Sequence, residues 1–139
     1  MVTKISSTKR KLMDSYSCKS PVLFLVFNRP DVTKRVFGAI RQARAPRLYV
    51  AADGAREDRE GEDQLVEETR RIATAVDWDC EVKTLFRDKN LGCGKAVSEG
   101  ITWFFENEPE GIILEDDCLP DLTFFEYCVC FFNTTETVH

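Results

Sequence analysis

Three features of the sequence predict an α/β fold, a mostly parallel sheet with helices on both faces. Short apolar runs alternate with segments whose apolar residues recur at helical spacing. The clearest run, Val22–Phe27, is apolar at every position, as a strand covered on both faces must be. Polar or glycine-bearing punctuation follows each run, so the order reads β-α-β-α-β-α-β-α, with right-handed crossovers.

The elements follow in order. VLFLVF, from Val22 to Phe27, is too short for a helix and rich in strand formers; Asn28-Arg29-Pro30 ends it. Pro30 suits a first helical turn, and Val32, Val36, Phe37 and Ile40 continue a helix that fades near Arg44, before Pro46. RLYVAA, from Arg47 to Ala52, is the second strand, closed by Asp53-Gly54 and an acidic loop. Leu65, Thr69, Ile72, Ala73 and Val76 share one face of a second helix, with Glu67 placed to pair with Arg70 and Arg71. CEVKTLF, from Cys80 to Phe86, is the third strand, followed by a polar loop from Arg87 to Gly94. Ala96, Val97, Ile101, Phe104 and Phe105 make the third helix, and GIIL, from Gly111 to Leu114, the fourth strand, stopped by Glu115-Asp116-Asp117. Asp121 can cap a last helix through Phe132.

A chain of 139 residues is expected to form one domain, and 43% hydrophobic against 31% charged residues is too apolar for whole-chain disorder. The net charge of −5 is uneven: the first twenty residues carry Lys4, Lys9, Arg10, Lys11 and Lys19 against Asp14 alone, and the body is acidic. Residues 1–19 read as a basic disordered tail and 20–139 as the domain; nucleic acid is a poor partner for so acidic a body. No segment is apolar for the length of a spanning helix, and no apolar stretch backs the basic start as in a secretory signal. The expected place is cytoplasmic, or peripheral to a membrane. The six cysteines contain no CxxC pair and the single histidine is His139, so free thiols are expected rather than a zinc site.

In parallel sheets ligands bind beyond the carboxyl ends of the strands, and the polar motifs all fall there. Glu115-Asp116-Asp117 is the sharpest. Three adjacent carboxylates repel unless something positive sits among them, and hard cations such as Mg2+ or Mn2+ take one or two carboxylates with phosphates completing the shell. A solvated acidic loop is the plain alternative. Arg29, beside the helix start at Pro30, can pair with a phosphate or be an ordinary surface arginine. Asp53 can accept hydrogen bonds from a base imide or a ribose hydroxyl, or simply serve an Asp-Gly turn. Asn90-Leu91-Gly92-x-Gly94-Lys95 opens a helix without the Walker spacing; Lys95 could reach a diphosphate. Phe124, Phe125, Tyr127, Phe131 and Phe132 read as core rather than as a stacking platform.

At these residues the chain resembles GT-A-type glycosyltransferases, Rossmann-like enzymes that use a nucleotide-sugar donor and a divalent metal held by a D-x-D or E-D-D motif after the fourth strand. IILEDDCLPDLTFFEYC, from Ile112 to Cys128, carries the match; PVLFLVFNRPDVTKRVFGAI, from Pro21 to Ile40, looks like the opening of N-acetylglucosaminyltransferase-I-like enzymes; NLGCGKAVSEGI, from Asn90 to Ile101, is similar to the N-x-G segment of the large inverting family. The resemblance implies Asp117, with Asp116, at a Mn2+ or Mg2+ ion, and Glu115 and Asp116 toward ribose and sugar. It places Asn28, Arg29, Asn90 and Lys95 at the nucleotide and makes Asp53 the reader of uracil in a UDP-type donor. In the two-Asp form of the large family, Asp53 is the second position and Ala52 stands in the first.

The implied function is transfer of a sugar to an unknown saccharide, lipid or protein acceptor, with no catalytic base identified. Enzymes of this type continue past the acidic motif with an acceptor half, so the chain reads as the donor-binding half, inactive in transfer by itself and self-associating through its C-terminal aromatic helix. Two other classes stay open: a binding module without catalysis, and a receiver-like magnesium-binding signalling domain. The receiver reading wants an acidic pair after the first strand and a lone Asp after the third, where this chain has Asn28-Arg29 and Arg87-Asp88.

Overall fold

Strands and helices alternate through residues 18–120, the part of the chain that the computed structural model describes. They are β1 (Val22–Val26), α1 (Pro30–Ala43), β2 (Arg47–Ala52), α2 (Glu62–Ala73), β3 (Glu81–Phe86), α3 (Cys93–Asn107) and β4 (Ile112–Glu115). Most of the basic tail, the helix expected after Asp121 with its aromatic residues, and the self-association read from them lie outside the described residues.

The four strands form one all-parallel sheet in the order β3-β2-β1-β4. The fold is therefore α/β with a Rossmann-like sheet. The chain winds from β1 to β2 to β3, then crosses back to place β4 on the other side of β1. That reversal of strand order beside β1 is the kind of switch point at whose carboxyl end parallel sheets bind ligands. β1, central and buried along its length, is apolar at every position for that reason.

Apolar side chains leave the sheet on both faces. On one, Val22, Phe24, Val50 and Leu114 pack against Val36, Phe37 and Ile40 of α1, with Ala73 of α2 in the same cluster. On the other, Leu23, Leu25, Tyr49 and Ala51 pack against Phe104 of α3. Among the described residues β3 and β4 are the edge strands. β4 alternates buried and exposed residues, and Ile113 is 36% exposed, so the run that reads as uniformly apolar is half covered.

Two expectations on α2 are corrected. Thr69, Ala73 and the partly buried Ile72 and Val76 do face the core, but Glu62 and Val66 are buried with them and Leu65 is 43% exposed. Arg70 does not join a local pair with Glu67: its Nη2 reaches the carbonyl oxygens of Asp53 at 3.1 Å and Arg87 at 2.7 Å. Two carbonyls at the ends of β2 and β3 need donors, and a long guanidinium supplies them from a helix packed alongside.

At the opposite, amino edge a buried carboxylate ties β2 to the end of α3. Glu108 accepts from Arg47 Nε at 2.6 Å and Nη2 at 3.0 Å and from the Tyr49 hydroxyl at 2.8 Å. The Arg47 hydrogen bonds hold the Glu108 carboxyl below the usual carboxylate range, and burial, aided by Glu108, pushes the Tyr49 phenol up to about 12. Cys80, Cys93 and Cys118 are free thiols. Among the described residues no helix is long and apolar enough to cross a membrane.

Candidate functional site

A cavity of about 310 Å³ lies at the carboxyl edge of the sheet. That is the low end of the range for small-molecule sites. Leu25, Ala51, Leu85 and Val97 give it an apolar floor; the turns after the four strands supply its polar walls. Small residues at Ala51 and Ala52 leave the room that larger side chains would fill.

The first wall comes from the turn after β1. Asn28 donates its side-chain amide to Glu62 Oε1 at 2.9 Å. Glu62 also receives the Arg56 backbone N–H at 2.7 Å and the Arg56 guanidinium through Nε and Nη2. Those Arg56 hydrogen bonds hold the Glu62 carboxyl at about 2, overcoming the burial that alone would raise it. The Arg56 guanidinium also covers the Phe27 ring. Neither Arg56 nor Glu62 stands out in the sequence, where Glu57, Asp58, Glu60 and Asp63 surround them. Arg29 is exposed, with Nη1 4.0 Å from Asp117 Oδ2.

The second wall is the loop after β3, and Asp53 holds it. Asp53 is 7% exposed. Oδ1 accepts the backbone N–H groups of Gly54 and Leu91, each at 2.8 Å. Oδ2 accepts the Gly92 N–H at 3.0 Å and Asn90 Nδ2 at 3.1 Å. Asn90 donates again to the Gly54 carbonyl at 2.8 Å. Asn90, placed among the donor-binding residues by resemblance, is thus occupied with the end of β2. Gly54 is needed for the same approach, since a Cβ there would lie 2.6 Å from the Lys89 carbonyl carbon. Arg87 lines the cavity and pairs with Glu99 at 3.1 Å; as the residue directly after β3 it was findable by position.

Lys95 is not brought to the cavity. Cys93, Ala96 and Val97 of α3 line it. At about 100° per residue Lys95 falls on the other side of the helix, where it is exposed.

The third wall is the acidic turn after β4. Glu115, Asp117 and Cys118 bring one ligand atom each within 4.8 Å of one another. Asp116 is not in that group. β4 ends at Glu115 and the chain turns through Asp116 and Asp117, which gathers Glu115, Asp117 and Cys118 rather than the expected pair of Asp116 with Asp117. Asp116 lines the cavity half-buried. Burial pushes its carboxyl up; Arg29 opposes this, and Asp117 and Glu115 add to it. The oxygens of Glu115 and Asp117 suit a hard divalent cation; the Cys118 thiol suits a softer one, and it instead lies 3.7 Å from Asp117 Oδ1.

Comparison with family models, with curated proteins and with solved structures gives no match. The carboxyl edge of the sheet carries arginines at 29, 56 and 87, each near a carboxylate, and an acidic turn that lines the same cavity.

Proposed function

We propose that the chain is the donor-binding domain of a GT-A-type glycosyltransferase. It binds a nucleoside diphosphate sugar together with Mn2+ or Mg2+, and the sugar passes to a saccharide, lipid or protein acceptor. The observation that carries this reading is the meeting of Arg29 with the acidic turn 115–117 at the β1–β4 switch point, where both line an apolar-floored cavity. A diphosphate needs both kinds of neighbour: guanidinium donors for its oxygens, and oxygen ligands for the cation that accompanies it.

Glu115 and Asp117 would hold the cation, which when bound neutralises charge developing on a diphosphate as it leaves. Arg29 and Arg87 orient phosphate oxygens from the opposite walls. Asp116, partly desolvated, faces the same space and can accept from a sugar or ribose hydroxyl. The apolar floor excludes water from beneath the ligand and strengthens each of these contacts.

Binding without transfer is the second reading. It is favoured by the state of Asp53, the carboxylate at the cavity outside the acidic turn, whose oxygens are filled by four donors. Release of sugar from labelled donor with and without acceptor separates the two. The binding itself is tested by a thermal melt with Mn2+ or Mg2+ and UDP, GDP or dTDP. A ligand at about 100 times its Kd adds about 2.7 kcal/mol of stability to the folded state, roughly 9 °C for a domain of this size. Asp117→Asn removes the metal-dependent part of the shift and leaves the ligand-free melt nearly unchanged. No shift with any of the three nucleotides sinks the donor-site reading.

A further inference from the structure

We infer that Asp53 and Asn90 are a positioning pair: they set the second wall of the cavity, and the selectivity of the site for one nucleobase over another does not run through the Asp53 carboxylate. An ionised carboxylate has about four lone-pair sites. Those of Asp53 are matched by four donors, all from residues 54 and 90–92, at 2.8–3.1 Å. A base imide or a hydroxyl could approach only by displacing one of them. Three of the four come from the turn leading into α3, so the carboxylate is a cradle for that turn rather than an open acceptor.

The turn is held at two further points. The Arg70 guanidinium spans the carbonyls of Asp53 and Arg87, tying the end of β2 to the end of β3, and stacks on the Phe86 ring 4.8 Å from its centre. Gly54 lies in backbone contact with Lys89. What these contacts position is visible at the cavity. Arg87 stands at one end of the anchored segment and Gly92 and Cys93 at the other, and all three line it. A change in the turn therefore moves a phosphate-competent guanidinium and the start of α3 together. Such a change weakens any nucleotide alike, because what moves is the wall and not a base contact. The acidic turn belongs to β4, on the far side of β1, and is independent of it.

The effect on nucleotides rests on the reading of the cavity given above; the anchoring of the turn does not. The full chain and the variants Asp53→Asn and Asn90→Ala are compared in three measurements: amide exchange at Leu91 and Gly92, affinity for Mn2+ alone, and affinity for UDP, GDP and dTDP with Mn2+. Asn90→Ala leaves the Asp53 charge in place and serves if Asp53→Asn does not fold. The expected result is exchange at both amides faster by about tenfold or more, the loss of one charge-assisted hydrogen bond being enough for that. Mn2+ affinity stays at the parent value, and the three nucleotides weaken by one common factor. Unchanged exchange overturns the pair. So does a UDP-selective loss in Asp53→Asn while Asn90→Ala binds like the parent, and so does a parallel loss of Mn2+ affinity, which marks a general structural defect. If the parent chain binds none of the nucleotides, the donor-site reading has failed, and exchange at Leu91 and Gly92 decides the positioning pair by itself.

Discussion

Glu62 shows how one residue can be both costly and required. A buried carboxylate is tolerated only with its oxygens satisfied, and here the Arg56 backbone and guanidinium and the Asn28 amide do so. Its place in the first turn of α2 adds a favourable helix dipole. Because its pKa in the folded chain is about 2, against an ordinary 4.5, its contribution is complete above about pH 4.5 and is lost as pH falls toward 2. The melting temperature should therefore drop across that window. Glu62→Gln should lower it at neutral pH and flatten that drop, since the amide has no charge to lose. Melts of both proteins between pH 2 and 7 check this: parallel curves would mean that the Arg56 contact does not hold Glu62 ionised. Glu108 shifts in the same direction and remains in both proteins, so the difference between the curves isolates Glu62.

At the scale of elements, the strands and helices place the site and the turns between them build it. Lys95 and Cys93 lie in the same helical turn, yet only Cys93 reaches the cavity, because helical phase divides them. The β2–α2 connection carries the tightest requirement. A methyl at Gly54 meets the Lys89 carbonyl carbon at 2.6 Å and its oxygen at 2.7 Å, with Arg87 O at 2.9 Å. These are backbone atoms, so the neighbour cannot rotate away. Gly54→Ala should cost about 3 kcal/mol, the upper part of the range for overpacking, and should speed exchange at Leu91 and Gly92 as the anchored turn lifts. A urea melt within about 0.5 kcal/mol of the parent would show that the loop yields more easily than its backbone contacts imply.

At the scale of the whole sheet, its two faces are unequally covered by the described residues. α1 and α2 share one face, whereas Phe104 of α3 is the large fully buried anchor of the other, edge-on to Tyr49 at 4.9 Å and against Gly111. Phe104→Ala should cost about 3–5 kcal/mol, because no second described helix on that face can close the gap. Ile113→Ala, at a half-covered edge, should cost under about 1 kcal/mol. Urea denaturation of the pair measures the asymmetry; equal losses would mean that β4 is covered as fully as the centre of the sheet.

Element order, the both-sided burial of the central strand and the gathering of polar motifs at strand carboxyl ends could all be read from the chain alone. Each rests on local pattern: apolar runs, helical spacing, and the turn residues that interrupt them. The sheet order could not be read so, and it is the order β3-β2-β1-β4 that brings Arg29 beside Asp117. Nor could the use of each polar side chain. Asn28 meets Glu62 across 34 residues, Asp53 meets Asn90 across 37, and Arg47 meets Glu108 across 61. Asp53 reads as an open acceptor and Arg70 as a surface partner of Glu67 because the sequence shows a group's chemistry but not which donors and acceptors packing will bring to it. Those partners are chosen only when the strands have paired and the helices have closed over them, since an unsatisfied polar group costs little in water and several kcal/mol in the interior.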